Sequence, residues 1–220
     1  MHELTATSPK NVQKPCLCVL ALDVSSSMEG TPIIELNNAL QEFYNSINQD
    51  DEAAEKLEIC LITFGSNAKC IQEPAKVDDF KMPPLVANGT TKLVDGINLA
   101  IKQVELRKEY YKKYSPQYSR PMILVFTDGE PDADQDMIGL ATQIRNDMFS
   151  KKYTFHVLGT TGYNHSKVLE FCPKELVYSI GTNYSRFFKW LSSSMDGLIA
   201  GQTFDDMRTK DDFMQQRPIN

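Results

Sequence analysis

Three stretches of the chain are almost continuously apolar, and each is short enough to form a single strand. They are PCLCVLALDV at residues 15–24, LEICLITFG at 57–65 and PMILVFTDGEP at 121–131. An apolar run without alternation is typical of a strand buried on both faces, as in a parallel sheet. Shorter apolar runs, YTFHVLGT at 153–160 and LVYSI at 176–180, predict two further strands.

A different pattern follows the second apolar run. The segment AKCIQEPAKV, residues 68–77, mixes polar and apolar residues and comes directly after a short Gly-Ser-Asn turn. Two strands joined by so short a connection form an antiparallel hairpin. Pro74 is tolerated on an edge strand, so the segment is predicted to lie at one edge of the sheet.

Apolar residues at helical spacing separate the strands. The first predicted helix has Thr31 as its N-cap and Pro32 at its first position. The third begins after a capping box formed by Asp132 and Gln135. The apolar faces are Leu36, Leu40, Phe43 and Ile47 in the first helix, Leu93, Ile97, Ile101 and Val104 in the second, Met137, Ala141, Ile144 and Met148 in the third, and Phe187, Leu191 and Leu198 in the fourth.

The alternation of strands and helices predicts an α/β fold with a doubly wound, mostly parallel central sheet. One antiparallel strand is expected at its edge and helices on both faces. Ligands of such sheets bind at the carboxyl ends of the strands. We expect residues 1–14 to be a flexible leader, 15–200 to form one domain and 201–220 to be a polar tail.

Composition narrows the range of functions. The net charge is −6 and the sequence pI is about 5.1, which argues against a broad nucleic-acid surface. The basic and aromatic segment RKEYYKKYSPQYSR, residues 107–120, could contact nucleic acid or a protein, but a helix C-terminus explains it more simply. The polar N-terminus and the absence of long apolar runs predict no membrane contact. Of the five cysteines, Cys16, Cys18 and Cys60 fall within apolar runs and are interpreted as reduced, which favours a cytoplasmic location; Cys70 and Cys172 are left unassigned.

Three segments rich in oxygen ligands are expected at the carboxyl ends of the strands, which form one rim of the predicted sheet. DVSSS (23–27) follows the first strand, NGTT (88–91) precedes the second long helix, and TDG (127–129) follows the third apolar run. Turns or helix caps could explain each segment alone. Mg²⁺ prefers about six oxygens and often takes one from a partner. Convergence of the three segments therefore favours an incomplete site for Mg²⁺, or else for Mn²⁺ or Ca²⁺.

The DVSSS segment resembles the D-x-S-x-S motif of the von Willebrand factor A (VWA) domain, the core of its metal-ion-dependent adhesion site (MIDAS). In that family a Thr from a Gly-Gly-Thr-like loop and an Asp from a Thr-Asp-Gly turn complete the site. Asn88 stands where Gly is usual, and Thr91 is an alternative to Thr90. The resemblance covers about residues 15–200 and implies a metal site made of Asp23, Ser25, Ser27, Thr90 and Asp128.

The resemblance also implies how such a site works. The hydroxyl groups would be direct ligands, the two aspartates would hold the ion directly or through water, and an Asp or Glu of a partner protein would fill the remaining position. The chain would then be a protein-binding module and not an enzyme. Within the family it is most similar to bacterial TerY-like proteins of tellurite-resistance and stress-response gene clusters, so a kinase, phosphatase or other enzyme of the same cluster is a candidate partner.

Two alternatives remain open from the sequence. The first is a Mg²⁺-dependent phosphoryl-transfer enzyme. Enzymes of this kind with an aspartate nucleophile have a D-x-D motif after the first strand, and Ser25 stands in the place of its second aspartate. No phosphate-binding G-x-x-x-x-G-K-[ST] loop is present either. The second is occupation of the site by an acid of the tail. Its candidates are Asp205, Asp206, Asp211 and Asp212.

Overall fold

The computed structural model describes residues 14–115, 117–202 and 204–207. The strands are β1 (Cys16–Asp23), β2 (Leu57–Phe64), β3 (Ala68–Lys76), β4 (Met122–Thr127), β5 (Thr154–Thr160) and β6 (Val177–Gly181). The helices are α1 (Thr31–Asn48), α2 (Asp51–Lys56), α3 (Leu93–Tyr114), α4 (Met137–Phe149), α5 (His165–Val168), α6 (Tyr184–Ile199) and α7 (Phe204–Met207).

One mixed sheet organises the described residues. Its strand order is β3-β2-β1-β4-β5-β6, and only the β2–β3 pairing is antiparallel. The predicted fold class is therefore confirmed, including the antiparallel edge strand that contains Pro74. From β1 the chain first adds β2 and β3 on one side of the sheet and then adds β4, β5 and β6 on the other side. This change of side between β1 and β4 places a crevice at the carboxyl ends of these two neighbouring strands.

Strand β1 is buried on both faces because its side chains alternate between two apolar layers. Leu20 and Leu22 belong to a cluster that includes residues of α1 and α6. Val19 and Ala21 belong to the opposite cluster, which includes residues of α3 and α4. The sheet is thus covered on both faces, as its continuous apolar strands predict.

The start of α1 differs from the prediction by one residue. Thr31 is the first helical residue and not the N-cap, so the predicted cap is wrong. Gly30 takes the capping position with a φ of 79°, a left-handed conformation that glycine adopts without a steric penalty. Pro32 consequently stands second in the helix, where its missing N–H is still harmless.

Packing accounts for much of the basic and aromatic segment that begins at Arg107. The Arg107 guanidinium donates two hydrogen bonds, of 2.6 and 2.5 Å, to the carboxylate of Glu58, which is buried on β2. The Tyr111 hydroxyl donates to the same carboxylate, and the Tyr111 ring stacks on Tyr118 at 5.0 Å. These groups therefore contribute to the core; Tyr110 and Tyr114 remain exposed.

The two ends of the chain lie largely outside the described residues. The predicted leader does so except for Lys14, as do Asp211 and Asp212 of the tail. Helix α7 contacts α6, where the buried Trp190 donates its indole N–H to the Met207 carbonyl at 3.1 Å. In the described part of the chain, no helix has both the length and the apolar character needed to span a membrane.

Candidate metal site

Asp23 ends β1 at the β1–β4 crevice, and its carboxylate is completely buried. The Ser25 backbone N–H donates to Asp23 Oδ1 at 2.9 Å, and the Ser25 hydroxyl donates to the same oxygen at 2.5 Å. The Thr127 hydroxyl, from the end of β4, donates to Asp23 Oδ2 at 2.8 Å. Both carboxylate oxygens are thus held from two adjacent strands.

The two predicted serine ligands lie directly against this carboxylate. Ser25 is buried, and its Oγ lies 2.9 Å from Ser27 Oγ. A 3₁₀ turn at Ser26–Met28 follows, with the Met28 side chain buried beneath it and Ser27 exposed. The row of oxygens from Asp23 to Ser27 therefore leads from the protein interior to the solvent.

Asp128 supplies a second buried carboxylate beside the first. It follows β4, it is only 7% exposed, and its Oδ1 accepts the Glu130 backbone N–H at 3.2 Å. Burial, and next the charge of Asp128, raise the pKa of Asp23 from 3.8 to about 6. Among the described residues, no Lys or Arg forms a salt bridge with either carboxylate. The pair therefore lacks a positive partner within this part of the protein.

The loop that carries the predicted threonine is hydrogen bonded to the Asp23–Ser27 loop. The Asn88 N–H donates to the Val24 carbonyl at 2.7 Å, and the Ser26 N–H donates to the Gly89 carbonyl at 2.9 Å. Gly89 has a φ of 85°, and a Cβ at this position would lie 2.0 Å from Ser66 Oγ. Asn88 itself has no positive φ, so Asn fits this loop where the family usually has Gly.

The two threonines of this loop have different surroundings. Thr90 is exposed, its N–H donates to Ser66 Oγ at 3.1 Å, and its side chain is near enough to Asp132 to help lower the pKa of that carboxyl group. Thr91 is 6% exposed, and its backbone N–H donates to Asp132 Oδ1 at 3.1 Å. Its carbonyl accepts from the Gln135 side chain at 2.7 Å. Within the described chain the Thr91 hydroxyl has no hydrogen-bond partner.

The acidic loop after β4 corrects another prediction. Asp132 and Gln135 do not form a capping box for α4, because Asp136 is the N-cap and accepts the Gly139 N–H at 2.8 Å. Gln135 instead accepts the Val94 N–H of α3 at 2.7 Å. A hydrogen bond from the Thr91 N–H, followed by bonds from Thr90 and Lys92, lowers the pKa of Asp132. The predicted cap residues thus fasten the threonine loop.

The structure therefore brings some of the predicted site residues into contact and leaves one at a distance from the others. Asp23, Ser25 and Ser27 are linked by hydrogen bonds, and Asp128 is near enough to affect the titration of Asp23. Thr90 lies on the adjoining loop, and its side chain is near Asp132. Thr127, which was not predicted as a site residue, ends β4 and donates its hydroxyl to Asp23; its position in the TDG motif was the signal that could have identified it.

The donor atoms of this site are all oxygens. No group of three or more His, Cys, Asp or Glu side chains suited to a metal occurs among the residues that the structure describes. Two buried carboxylates and several hydroxyl groups suit a hard divalent cation better than a metal that prefers thiolate or imidazole. Such an ion would also provide the positive charge that the two carboxylates lack.

Solved structures with a similar fold come from several organisms. The pilus adhesin SpaC of Lactobacillus rhamnosus GG, in its open conformation, has a TM-score of 0.66 and 14% identity, covering 86% of this chain and 31% of the adhesin. The conserved hypothetical protein BatB of Bacteroides thetaiotaomicron has a TM-score of 0.56 and 16% identity, covering 84% of this chain and all of BatB. The present chain thus spans less than a third of the adhesin.

A third similar structure includes a metal. Proximal thread matrix protein 1 of the mussel byssus, whose structure has a zinc-occupied MIDAS motif, has a TM-score of 0.52 and 16% identity, covering 84% of this chain and 45% of that protein. A search of curated proteins returned no significant match. The model of the von Willebrand factor type A domain matches residues 18–175, and the chain therefore belongs to the VWA domain family.

Proposed function

We propose that this chain is a Mg²⁺-dependent protein-binding module that captures an Asp or Glu side chain of a partner protein. The observation that carries the proposal is the pair of buried carboxylates, Asp23 and Asp128, without a basic partner in the described residues. Burying two like charges side by side is unfavourable unless a positive charge joins them. A divalent cation would provide that charge.

The residues that would hold the ion follow from their contacts. Asp23, Ser25, Ser27 and Asp128 are proposed as predicted, with hydroxyl and carboxylate oxygens at one rim of the sheet. For the fifth position we favour Thr91 over Thr90. Thr91 is buried and its hydroxyl has no partner in the described chain, whereas Thr90 is exposed and its side chain lies near Asp132. A hydroxyl that no protein group holds is available as an oxygen ligand for an ion.

Exposed apolar residues near the site support a protein as the partner. Ile34, in the first turn of α1, is 58% exposed, and Val86, two residues before Asn88, is 74% exposed. Ile138, in the first turn of α4, is 81% exposed. Each belongs to a segment adjoining one of the three site loops. Apolar side chains around a central polar anchor are typical of protein interfaces.

A binding role also agrees better with the surroundings of Ser25 than catalysis does. In the described residues the Ser25 hydroxyl contacts Asp23 and Ser27, and no imidazole or amine lies within hydrogen-bond distance to activate it as a nucleophile. The similar solved structures include a pilus adhesin and a pilus tip protein. These are consistent with a non-enzymatic role.

The finer parts of the proposal rest on the sequence resemblance. We propose a TerY-like protein of a bacterial stress-response or tellurite-resistance assembly, located in the cytoplasm and bound to an enzyme of the same gene cluster. The five free cysteines are compatible with a reducing compartment. Helix α7, which carries Asp205 and Asp206, packs against the C-terminal part of α6, at the end of the sheet away from the site. Asp211 and Asp212 are therefore the tail acids that remain candidates for occupying the site, and removal of residues 208–220 would raise partner affinity if they did so.

Isothermal titration calorimetry of the chelator-treated protein with Mg²⁺, Mn²⁺ and Ca²⁺ tests the metal site. Asp23→Asn and Asp128→Asn should abolish binding, and Asp78→Asn should not. Asp78 is an exposed acid that follows β3, at the opposite end of the sheet. Binding of none of these ions by the wild-type protein would refute the metal site.

Capture experiments test the partner. Immobilised protein should retain neighbouring gene products in Mg²⁺ and release them in EDTA, and each retained protein should lose binding when one of its exposed acids is changed to the amide. Capture that survives both EDTA and Asp23→Asn would contradict the proposed mode of binding, even if the metal binds.

A further inference from the structure

Two cysteine side chains are in contact away from the metal site. Cys60 Sγ, on β2, lies 3.8 Å from Cys70 Sγ, on the edge strand β3. The register between the two strands shifts on both sides of Leu61, and Cys70 is aligned with Ile62. Cys60 and Cys70 are therefore diagonal neighbours on the same face of the sheet, beside an irregularity in the ladder.

We propose that Cys60 and Cys70 form a reversible intramolecular disulfide when the protein meets a peroxide. The sulfur atoms are in van der Waals contact, and side-chain rotation together with a local shift of the irregular strand pair would bring them to the bond length of about 2.05 Å. The strands are already joined by the β2–β3 ladder, which limits how far the two thiols can separate.

The two thiols have different access to solvent, which suits the two steps of disulfide formation. Cys60 is fully buried, whereas Cys70 is half-buried on the edge strand. The contact with Cys60 lowers the pKa of the Cys70 thiol, while the contact with Cys70, followed by burial, raises the pKa of the Cys60 thiol. Cys70 is thus the thiol that ionises first and that an oxidant can reach.

The chemistry balances with hydrogen peroxide as the oxidant. The Cys70 thiolate attacks one peroxide oxygen, the O–O bond breaks, and the products are a sulfenic acid on Cys70 and hydroxide. The Cys60 thiol then attacks the Cys70 sulfur; the S–S bond forms, the S–O bond breaks, and water leaves with the Cys60 proton. A thiol reductant reverses the modification by thiol–disulfide exchange.

The remaining cysteines are poor candidates for either step. Cys16 and Cys18 are fully buried on β1, in the cluster on the opposite face of the sheet. Cys172 is also buried, and burial, then Glu175, raises the pKa of its thiol. A group that is buried and remains protonated reacts slowly with peroxide. The modification should therefore be selective for one pair.

Peptide mapping of the full-length native protein tests the proposal directly. The reduced protein is treated with hydrogen peroxide in EDTA, unfolded in urea with N-ethylmaleimide, and digested with trypsin. Because Lys69 separates the two cysteines, the disulfide would join peptide 57–69 to peptide 70–76. We expect this linked species to become the main form of both peptides and to disappear after treatment with dithiothreitol.

Variants separate the disulfide from general oxidation. Cys172→Ser should leave the linked species unchanged. Cys60→Ser should abolish it and increase sulfinic acid on Cys70 several-fold, because the sulfenic acid no longer has a resolving thiol. The proposal fails if both wild-type cysteines still carry N-ethylmaleimide, if Cys70 proceeds to sulfinic acid while Cys60 stays reduced, or if the disulfide involves another cysteine. Peptide mapping of the wild-type protein alone shows whether the Cys60–Cys70 disulfide forms, even if a variant does not fold.

Discussion

Replacing Asp23 with Asn removes one charge from a fully buried carboxyl group with little change in size. Burial and the neighbouring Asp128 raise the pKa of Asp23 from 3.8 to about 6. Each pKa unit corresponds to about 1.4 kcal/mol, so keeping Asp23 ionised at pH 7.5 costs the metal-free folded protein about 3 kcal/mol. The substitution should recover this free energy.

Hydrogen bonding offsets part of the gain. The Asn side chain retains one oxygen for Ser25, but its amide nitrogen would face the Thr127 hydroxyl, which now donates to Asp23 Oδ2. That hydroxyl could accept instead, since a hydroxyl can donate and accept, at the loss of one hydrogen bond worth about 1 kcal/mol. In EDTA we therefore expect Asp23→Asn to be more stable than the wild type by about 2 kcal/mol.

The sign of the pH dependence follows from the raised pKa. The wild-type penalty is absent below the unfolded-state pKa of 3.8, grows as the pH rises, and is complete above about 6. The electrostatic advantage of the variant should consequently fall to about half when the pH is lowered from 7.5 to 5. Excess Mg²⁺ should reverse the order, since binding at 100 times Kd stabilises the wild type by about 2.7 kcal/mol and leaves the variant unchanged.

Urea unfolding measures both effects. Trp190 is the single tryptophan and is buried, so its fluorescence reports unfolding. With an m-value of about 2 kcal/mol/M, the midpoint of Asp23→Asn in EDTA should rise by about 1 M. Asp78→Asn is the control and should respond to EDTA and Mg²⁺ as the wild type does. A lower stability of Asp23→Asn than of the wild type in EDTA at pH 7.5, or equal stabilisation of both by Mg²⁺, would contradict an unfavourable buried charge at Asp23.

Three further substitutions test the structure at separate places. Arg107→Met should lower the free energy of urea unfolding by about 3 to 5 kcal/mol, because it leaves the buried Glu58 carboxylate without its cationic partner. Ion pairs at a protein surface contribute less than about 1 kcal/mol, and a loss in that range would contradict a buried pair. Thr91→Val should weaken Mg²⁺ binding in calorimetry by about tenfold, or 1.4 kcal/mol, and Thr90→Val should have little effect; the opposite order would restore Thr90 as the ligand. Gly89→Ala should lower the thermal unfolding midpoint and the stability by about 1 to 3 kcal/mol, because a side chain is strained at a φ of 85° and its Cβ would collide with Ser66. An unchanged midpoint would show that the loop relaxes.

The strands of this fold could be predicted because their burial leaves a local signal. Strands β1, β2 and β4 are covered on both faces, and so nearly every position is apolar. Strand β3 is an edge strand with one side open, which explains its mixed composition and its tolerance of Pro74. Aspartates that follow such strands lie in the crevice because parallel strands end at one rim, and the positions of Asp23 and Asp128 follow from that rule.

The hydrogen bonds between the site loops could not be predicted from local sequence patterns. Asp132 and Gln135 match a capping box in spacing, and nothing nearby in the sequence shows that their hydrogen-bond partners lie about forty residues earlier, at Thr91 and Val94. The choice between Thr90 and Thr91 has the same cause. Both have the same hydroxyl group, and only the path of the loop decides which one is buried and which one is exposed.

These long-range hydrogen bonds also determine what a loss of function in the proposed test would mean. The Ser26–Gly89 and Thr91–Asp132 bonds join the three loops through backbone groups and through an acid that is not a proposed ligand. The loops are therefore held together by contacts that do not require an ion, and removing the ion should not separate them. A preorganised site loses little of its binding free energy to the ordering of its loops. Loss of partner capture by Asp23→Asn in a protein that is at least as stable as the wild type in EDTA would consequently report the missing metal ligand and not a collapsed rim.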